Sequence, residues 1–274
     1  MINLLFAGNN KVFDGMLITL LSLTKHTKSP VNAFCLTMDL QDVNPKFIAI
    51  SKKKADFLEK ILKEGNSESK LTLIDLSDMF RNEMLDSVNL KSHFTPYTLL
   101  RLFADKIEQI PDKILYLDTD TVINNDINEL YNIDIENYEI ACVNDIYNWT
   151  APSRWRIKNY FNAGVMLLNM KKIRETGMFA KTRELCRYKK MLYPDQDALN
   201  KTVTYKKMLP VKFNSKDKYY PEIVVHHFCN VRKNWNFFHR IKPWEVDLVK
   251  TKMSAYNDIL DKYLEKKKEF ESLK

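Results

Sequence analysis

Two carboxylates one residue apart, Asp118 and Asp120, close an apolar run in "YLDTDTVINND". Residues i and i+2 of an extended segment point the same way, so both acids can face one hard divalent cation. Acids held beside an apolar strand are costly unless something positive compensates them. A second apolar run, "IVVHHFCNVRKNW", delivers His226 and His227 far downstream. Imidazole with two carboxylates and open positions suits Mn²⁺. Successive strand residues face opposite ways, so only one of the two histidines can aim at such an ion. Taken alone, Asp-x-Asp recurs by chance, and turn acids or a helix cap account for it equally well.

The five glycines, Gly8, Gly15, Gly65, Gly164 and Gly177, fit neither G-x-G-x-x-G nor G-x-x-x-x-G-K-[ST]. A phosphate bound by this chain therefore needs a divalent metal and cationic side chains rather than a glycine-rich cradle. The balance of 43 Lys+Arg against 35 Asp+Glu gives a net charge of +8. That is enough for weak attraction to phosphates or anionic surfaces, and equally what a lysine-rich soluble surface shows.

The 274 residues suit one large or two small domains, and 45% apolar residues supply a substantial core. Cys35, Cys142, Cys186 and Cys229 lie far apart with no Cys-x-x-Cys pair, so neither a zinc knuckle nor a disulfide framework is indicated. The apolar run in "INLLFAGNN" is too short for a signal peptide, and no membrane-length apolar stretch follows. A cytoplasmic location is expected, with peripheral membrane contact open.

The elements that must position these residues are legible from periodicity. "INLLFA" reads as a strand ending at Gly8-Asn9-Asn10, and "FDGMLITLLSLTKHT" as a helix. "VNAFCLTMD" and "KLTLIDL" read as strands around a helix in "PKFIAISKKKADFLEKILKEG" that Gly65 closes. A helix at "TPYTLLRLFADKI", the strands "KILYLD" and "YEIACVND", the segment "FNAGVMLLNM" and a helix near 171–188 follow. Strands alternating with helices predict an α/β fold with a mostly parallel sheet. Ligands of such sheets bind at the carboxyl ends of strands, which puts Gly8–Lys11, Asp118–Asp120 and Asp145 on one edge. One domain is expected over residues 1–244, followed by a helical tail over 245–274 whose apolar positions recur at helical spacing.

The order of "LLFAGNN", "TLLRLFADKI", "KILYLDTDTVI", "FNAGVMLLNM", "YPDQDALN" and "HHFCNVRKNW" resembles glycosyltransferase family 8, which includes glycogenin and bacterial lipopolysaccharide α-galactosyl- and α-glucosyltransferases. The resemblance covers residues 2 to about 235. It implies a GT-A fold with a Rossmann-like, mostly parallel sheet flanked by helices. It also implies a Mn²⁺-dependent UDP-sugar donor, with Mg²⁺ as an alternative ion, and transfer with retention at the anomeric carbon. Asp118, Asp120 and His227 would be the metal ligands, and Lys233 would meet the diphosphate. Arg101 and Thr119 would reach the donor, while Ala7 and Asn9 would border uracil and ribose. Asn162 and Ala163 would form the backbone turn near the sugar, and Asp145 would lie beside its hydroxyls. Asp195 and Gln196 would lie under the anomeric centre.

The chain departs from the family's pattern with Asn230 where glycine is usual, Asn234 where proline is usual, and Val12 near the position of a base-stacking aromatic. Lys242, in "IKPW", is a competitor to Lys233. The expected activity is retaining transfer of galactose or glucose from a UDP-sugar to a hydroxyl of a glycan or glycolipid. Trp149, Trp155 and Tyr160 are candidates for an acceptor platform, and no nucleic-acid partner is expected. The rivals are a non-catalytic basic binding protein for nucleic acid or a membrane surface, and a two-carboxylate glycosidase. The second needs acids on opposite faces of its substrate, which neighbouring acids on one strand end do not supply.

Overall fold

The apolar run at residues 2–7 becomes an interior strand of the sheet, because Ile2, Leu4, Leu5 and Phe6 can all be buried. A computed structural model describes residues 1–92, 94–145, 157–216, 219–229, 231–233, 236–238 and 241–273, with backbone only for 231–233 and 236–238. Strand β1 (Ile2–Ala7) lies between β2 (Val31–Thr37) and β4 (Lys113–Leu117), parallel to both. β3 (Lys70–Asp75) extends the sheet beyond β2. On the other side β7 (Phe161–Asn169) runs antiparallel to β4. Beyond it come β6 (Ile140–Asn144), antiparallel to β7, and β8 (Lys206–Leu209), parallel to β6. The resulting order is β3-β2-β1-β4-β7-β6-β8.

The chain leaves β1 toward β2 and β3, then returns to β4 on the opposite side, so the carboxyl ends of β1 and β4 flank a topological switch point. That crevice is where open α/β sheets bind ligands. Because β7 is antiparallel, its amino end arrives at the same edge: Leu117 pairs with Val165, and the Asp118 N–H donates to the Gly164 carbonyl at 2.7 Å. Asn144 pairs with Phe161, which brings Asp145 there as well. A separate two-stranded ladder, β5 (Thr121–Ile123) against β9 (Val225–His227), pairs Thr121 with His227. It returns the histidine to the Asp-x-Asp turn.

Alternation across β1 splits the core in two. Ile2, Leu4 and Phe6 pack with Leu17 and Leu20 of helix α1 (Phe13–His26), while Leu5 packs on the opposite face with Leu36, Phe103 and Tyr116. Burial of each such side chain contributes roughly 1.5–3 kcal/mol.

Three helices differ from the sequence expectation. Helix α2 (Lys52–Gly65) is capped by Ser51, whose hydroxyl accepts from the Lys54 N–H, and leaves residues 45–50 outside it. Pro96–Lys106 winds as a 3₁₀ helix. Three residues per turn stack Tyr97, Leu100 and Phe103 into one buried ridge and turn Thr98 and Arg101 toward the crevice. The stretch near 171–188 is two helices, Met170–Thr176 and Met178–Tyr188, broken at Gly177 with φ of 65°.

The tail, helices Val246–Lys252 and Asn257–Ser272, packs on the domain. Phe270 lies 4.4 Å from the Phe13 ring and 5.2 Å from Phe57, and Tyr263 donates to Asp14. Its apolar positions Val249, Tyr256, Ile259 and Leu260 are thereby buried. Lys266 pairs with Glu64 and Lys267 with Asp14. Among the described residues no helix is long and apolar enough to cross a membrane.

Candidate functional site

Asp118, Asp120 and His227 each turn one ligand atom toward the others, all within 4.8 Å. His227 Nε2 lies 3.1 Å from Asp120 Oδ1 and 3.6 Å from Asp118 Oδ2. It is buried without a hydrogen-bond partner, and on the neutral imidazole its lone pair is placed to share a cation with the carboxylates. Gly164 forms the wall of this space. A Cβ there would sit 2.1 Å from His227 Cε1 and 2.6 Å from Asp118 Oδ2. An Asp₂His set with an orphaned nitrogen and a glycine wall fits a divalent ion such as Mn²⁺.

The remaining atoms of the three side chains are tied down. Asp118 Oδ1 accepts from the Tyr116 hydroxyl at 2.7 Å and from Arg101 at 3.0 Å. Asp120 Oδ2 accepts from Lys242 Nζ at 2.6 Å. His227 Nδ1 meets Asn214 Oδ1 at 3.0 Å. Outer partners of this kind orient ligands toward a metal. Burial pushes the His227 imidazole down, but Cys229 and Asp120 more than offset it and raise it to about 10. Burial would raise the Asp120 carboxyl, yet His227 and Lys242 hold it well below the usual carboxylate range. His226 points away: it bonds the Tyr256 hydroxyl and stacks 4.5 Å from Phe228.

Arg101 is 3% exposed. Its guanidinium donates to the Ala163 carbonyl at 2.7 Å and the Thr98 carbonyl at 2.9 Å, and lies 4.0 Å from the centre of the Tyr116 ring. Asp195 is 3.4 Å from it. Burial raises the Asp195 carboxyl, with Arg101 opposing and Asp118 reinforcing the shift.

Gln196 is held on both sides. Its carbonyl oxygen accepts from Asn162 Nδ2 at 2.8 Å and the Ala163 N–H at 3.0 Å. Its amide nitrogen donates to Asp145 Oδ2 at 3.1 Å and the Tyr160 hydroxyl at 3.2 Å. A backbone N–H only donates and a carboxylate only accepts, so the amide has one orientation. Asp145 Oδ1 accepts from Lys216 at 2.8 Å, in an ion pair that is 0% and 2% exposed.

Beside the acids opens a cavity of about 190 Å³ whose walls include Ala7, Asn9, Arg101, Asp118, Thr119 and Trp244. Val12 and Tyr97 also line it. Phe13 does not, being buried against Phe57 and Phe270. Trp149, Trp155, Asn230, Asn234 and the Lys233 side chain lie outside the described residues. Asn214, Lys216, Tyr116 and Trp244 escaped the sequence reading. The first two are polar letters in an irregular segment, and only their return to the sheet edge reveals them.

The sequence profile of glycosyl transferase family 8 matches residues 3–263. A putative glycosyltransferase of Haemophilus influenzae is 26% identical over 261 residues, covering 85% of this chain and 73% of its own length. A lipopolysaccharide 1,2-glucosyltransferase of Escherichia coli is 28% identical over 211 residues, 73% of this chain and 58% of that protein. The galactosyltransferase LgtC, solved with donor and acceptor sugar analogs, superimposes with a TM-score of 0.67 at 19% identity, over 97% of this chain and 95% of its own. That likeness shows the GT-A fold. With a match running almost from end to end, the chain belongs to glycosyltransferase family 8.

Proposed function

We propose that the chain moves galactose or glucose from a UDP-sugar to a hydroxyl of a glycan or glycolipid, with retention. Asp118, Asp120 and His227 would hold Mn²⁺, or Mg²⁺ in its place. The observation that carries this reading is the convergence of Asp118 Oδ2, Asp120 Oδ1 and His227 Nε2 beside the cavity at the switch point. When bound, the ion supplies Lewis-acid stabilisation of the charge that gathers on a departing diphosphate.

The chain's own groups do the rest. Arg101, fixed by its carbonyl and carboxylate partners, sets a preorganised positive charge in the cavity wall. Lys233 is assigned to the diphosphate by its spacing from His227, with Lys242, which donates to Asp120 and the Phe228 carbonyl, as its competitor. Ala7, Asn9 and Thr119 border the nucleotide, and Tyr97 and Trp244 offer rings where the first loop has none. Asn162, Ala163, Asp145 and Asp195 surround the hexose, the two acids accepting from its hydroxyls. Gln196 is a neutral amide and a poor nucleophile. Transfer is therefore assigned to the front face, the acceptor entering on the side from which UDP leaves, with Gln196 acting as a fixed dipole beneath the sugar.

The test is UDP release from a panel of UDP-sugars with and without Mn²⁺. Metal-dependent release from UDP-galactose or UDP-glucose, abolished in Asp120→Asn and His227→Ala, supports the reading. Full activity in His227→Ala overturns the metal assignment, and an acceptor product of inverted configuration overturns retention.

A further inference from the structure

Three side-chain amides join the metal ligand His227 to the acid Asp145, and every hydrogen bond along the way runs in the same direction. His227 Nδ1 meets Asn214 Oδ1 at 3.0 Å, and Asn214 Nδ2 donates to Asn162 Oδ1 at 2.9 Å. Asn162 Nδ2 then donates to Gln196 Oε1, and Gln196 Nε2 to Asp145 Oδ2. Asn214 is 2%, Asn162 8% and Gln196 7% exposed, so water is poorly placed to substitute for any link.

Two backbone groups dictate the direction. The Ala163 N–H donates to Gln196 Oε1 and the Gly164 N–H to Asn162 Oδ1 at 3.1 Å, which fixes both oxygens as acceptors. Asn214 must then present its NH₂ to Asn162, because the flipped amide would set two oxygens 2.9 Å apart. Its carbonyl oxygen is left facing His227, so Nδ1 must carry the proton and Nε2 keeps its lone pair for the carboxylate side. The three amide dipoles align with their negative ends toward His227 and their positive ends toward Asp145. This favours a cation at the first and an anion at the second.

We infer that Asn214 is a positioning residue that selects the ligating tautomer of His227 and couples the metal centre, through Asn162 and Gln196, to the acid beside the sugar. The inference rests on the metal centre proposed above. It goes further in making metal affinity and sugar alignment depend on a residue that touches neither ion nor donor.

Isothermal titration with Mn²⁺ alone, beside turnover of the UDP-sugar, tests it in Asn214→Ala and Asn214→Asp. Asn214→Ala should lose roughly 10- to 100-fold in Mn²⁺ affinity, the usual cost of an outer ligand partner. Asn214→Asp still accepts from His227 but has no proton for Asn162, so it should recover most of the Mn²⁺ affinity while turnover stays low. Wild-type Mn²⁺ affinity in Asn214→Ala overturns the inference, as does an Asp variant that melts like wild type yet binds Mn²⁺ no better than Ala. Full turnover in Asn214→Asp overturns the coupling to the sugar side. Absence of Mn²⁺ binding in the unaltered chain removes the metal centre and this inference together. Binding by the unaltered chain that is equally tight in Asn214→Ala removes this inference alone.

Discussion

Gly164→Ala adds one methyl group where the candidate metal centre has least room. The new Cβ would lie 2.1 Å from His227 Cε1 and 2.6 Å from Asp118 Oδ2. Carbon atoms settle at about 3.5–4.0 Å, so the imidazole must retreat by more than ~1 Å. Ligand distances in a working metal site are held to about 0.2 Å. The displaced ring also carries its Asn214 bond and cannot simply rotate. Overpacking of this kind costs roughly 1–3 kcal/mol of stability, which the remaining core of this chain can absorb. The expected result is a folded protein with a modestly lowered melting temperature and Mn²⁺ affinity reduced at least about 10-fold. Calorimetric titration with Mn²⁺ alone and a thermal melt of the same sample measure both. Wild-type Mn²⁺ affinity in folded Gly164→Ala would refute the argument that Asp118 and His227 share an ion across Gly164.

Three further outcomes are expected. His227 is raised from 6.5 to about 10, so the metal-free protein holds the stability of the charged imidazole in full below pH 6.5 and loses it as pH rises through 10. Mn²⁺ must displace that proton, so its affinity should climb over the same window; parallel rather than opposed trends in melting and titration would contradict this. Lys233→Ala should weaken UDP binding more than Lys242→Ala, while Lys242→Ala, which frees Asp120 Oδ2, should weaken Mn²⁺ binding; equilibrium titrations that give the reverse order would move the diphosphate site to Lys242. Gln196→Ala removes the acceptor of the Ala163 N–H and one donor to Asp145. Its steady-state kinetics should show turnover well below wild type but above zero with KM for the donor nearly unchanged, and a large rise in KM alone would speak against a role in transfer.

How much of this could be read from the chain follows from the range of the interactions concerned. The carboxyl ends of β1, β4 and β6 were legible because a strand and its terminal polar residue are consecutive letters, and a sheet places such ends along one edge. Strand alternation alone left the choice between His226 and His227 open, and only the family resemblance pointed to His227. The choice depends on a register, Thr121 opposite His227, that joins segments more than a hundred residues apart. The break at Gly177 was hidden because one glycine interrupts an otherwise continuous helical pattern. The 3₁₀ winding at Pro96–Lys106 was hidden because the same apolar letters satisfy 3.0 and 3.6 residues per turn over so short a run.

The polar interior was harder still, for a physical reason. Lys216 reads as one lysine among many, and its burial against Asp145 becomes visible only in the folded chain. Asn162 reads as a turn residue and Asn214 drew no reading at all, and a letter does not say which way an amide points. Orientation is imposed from outside, by the backbone N–H groups of Ala163 and Gly164, which cannot reverse. The segment "FNAG" therefore does more than supply small residues at the sheet edge. Its backbone fixes the polarity of the amide chain, and its glycine leaves the space in which His227 and Asp118 meet. Sequence order placed the acids on one edge, while the atoms that aim them belong to residues whose place appears only after folding.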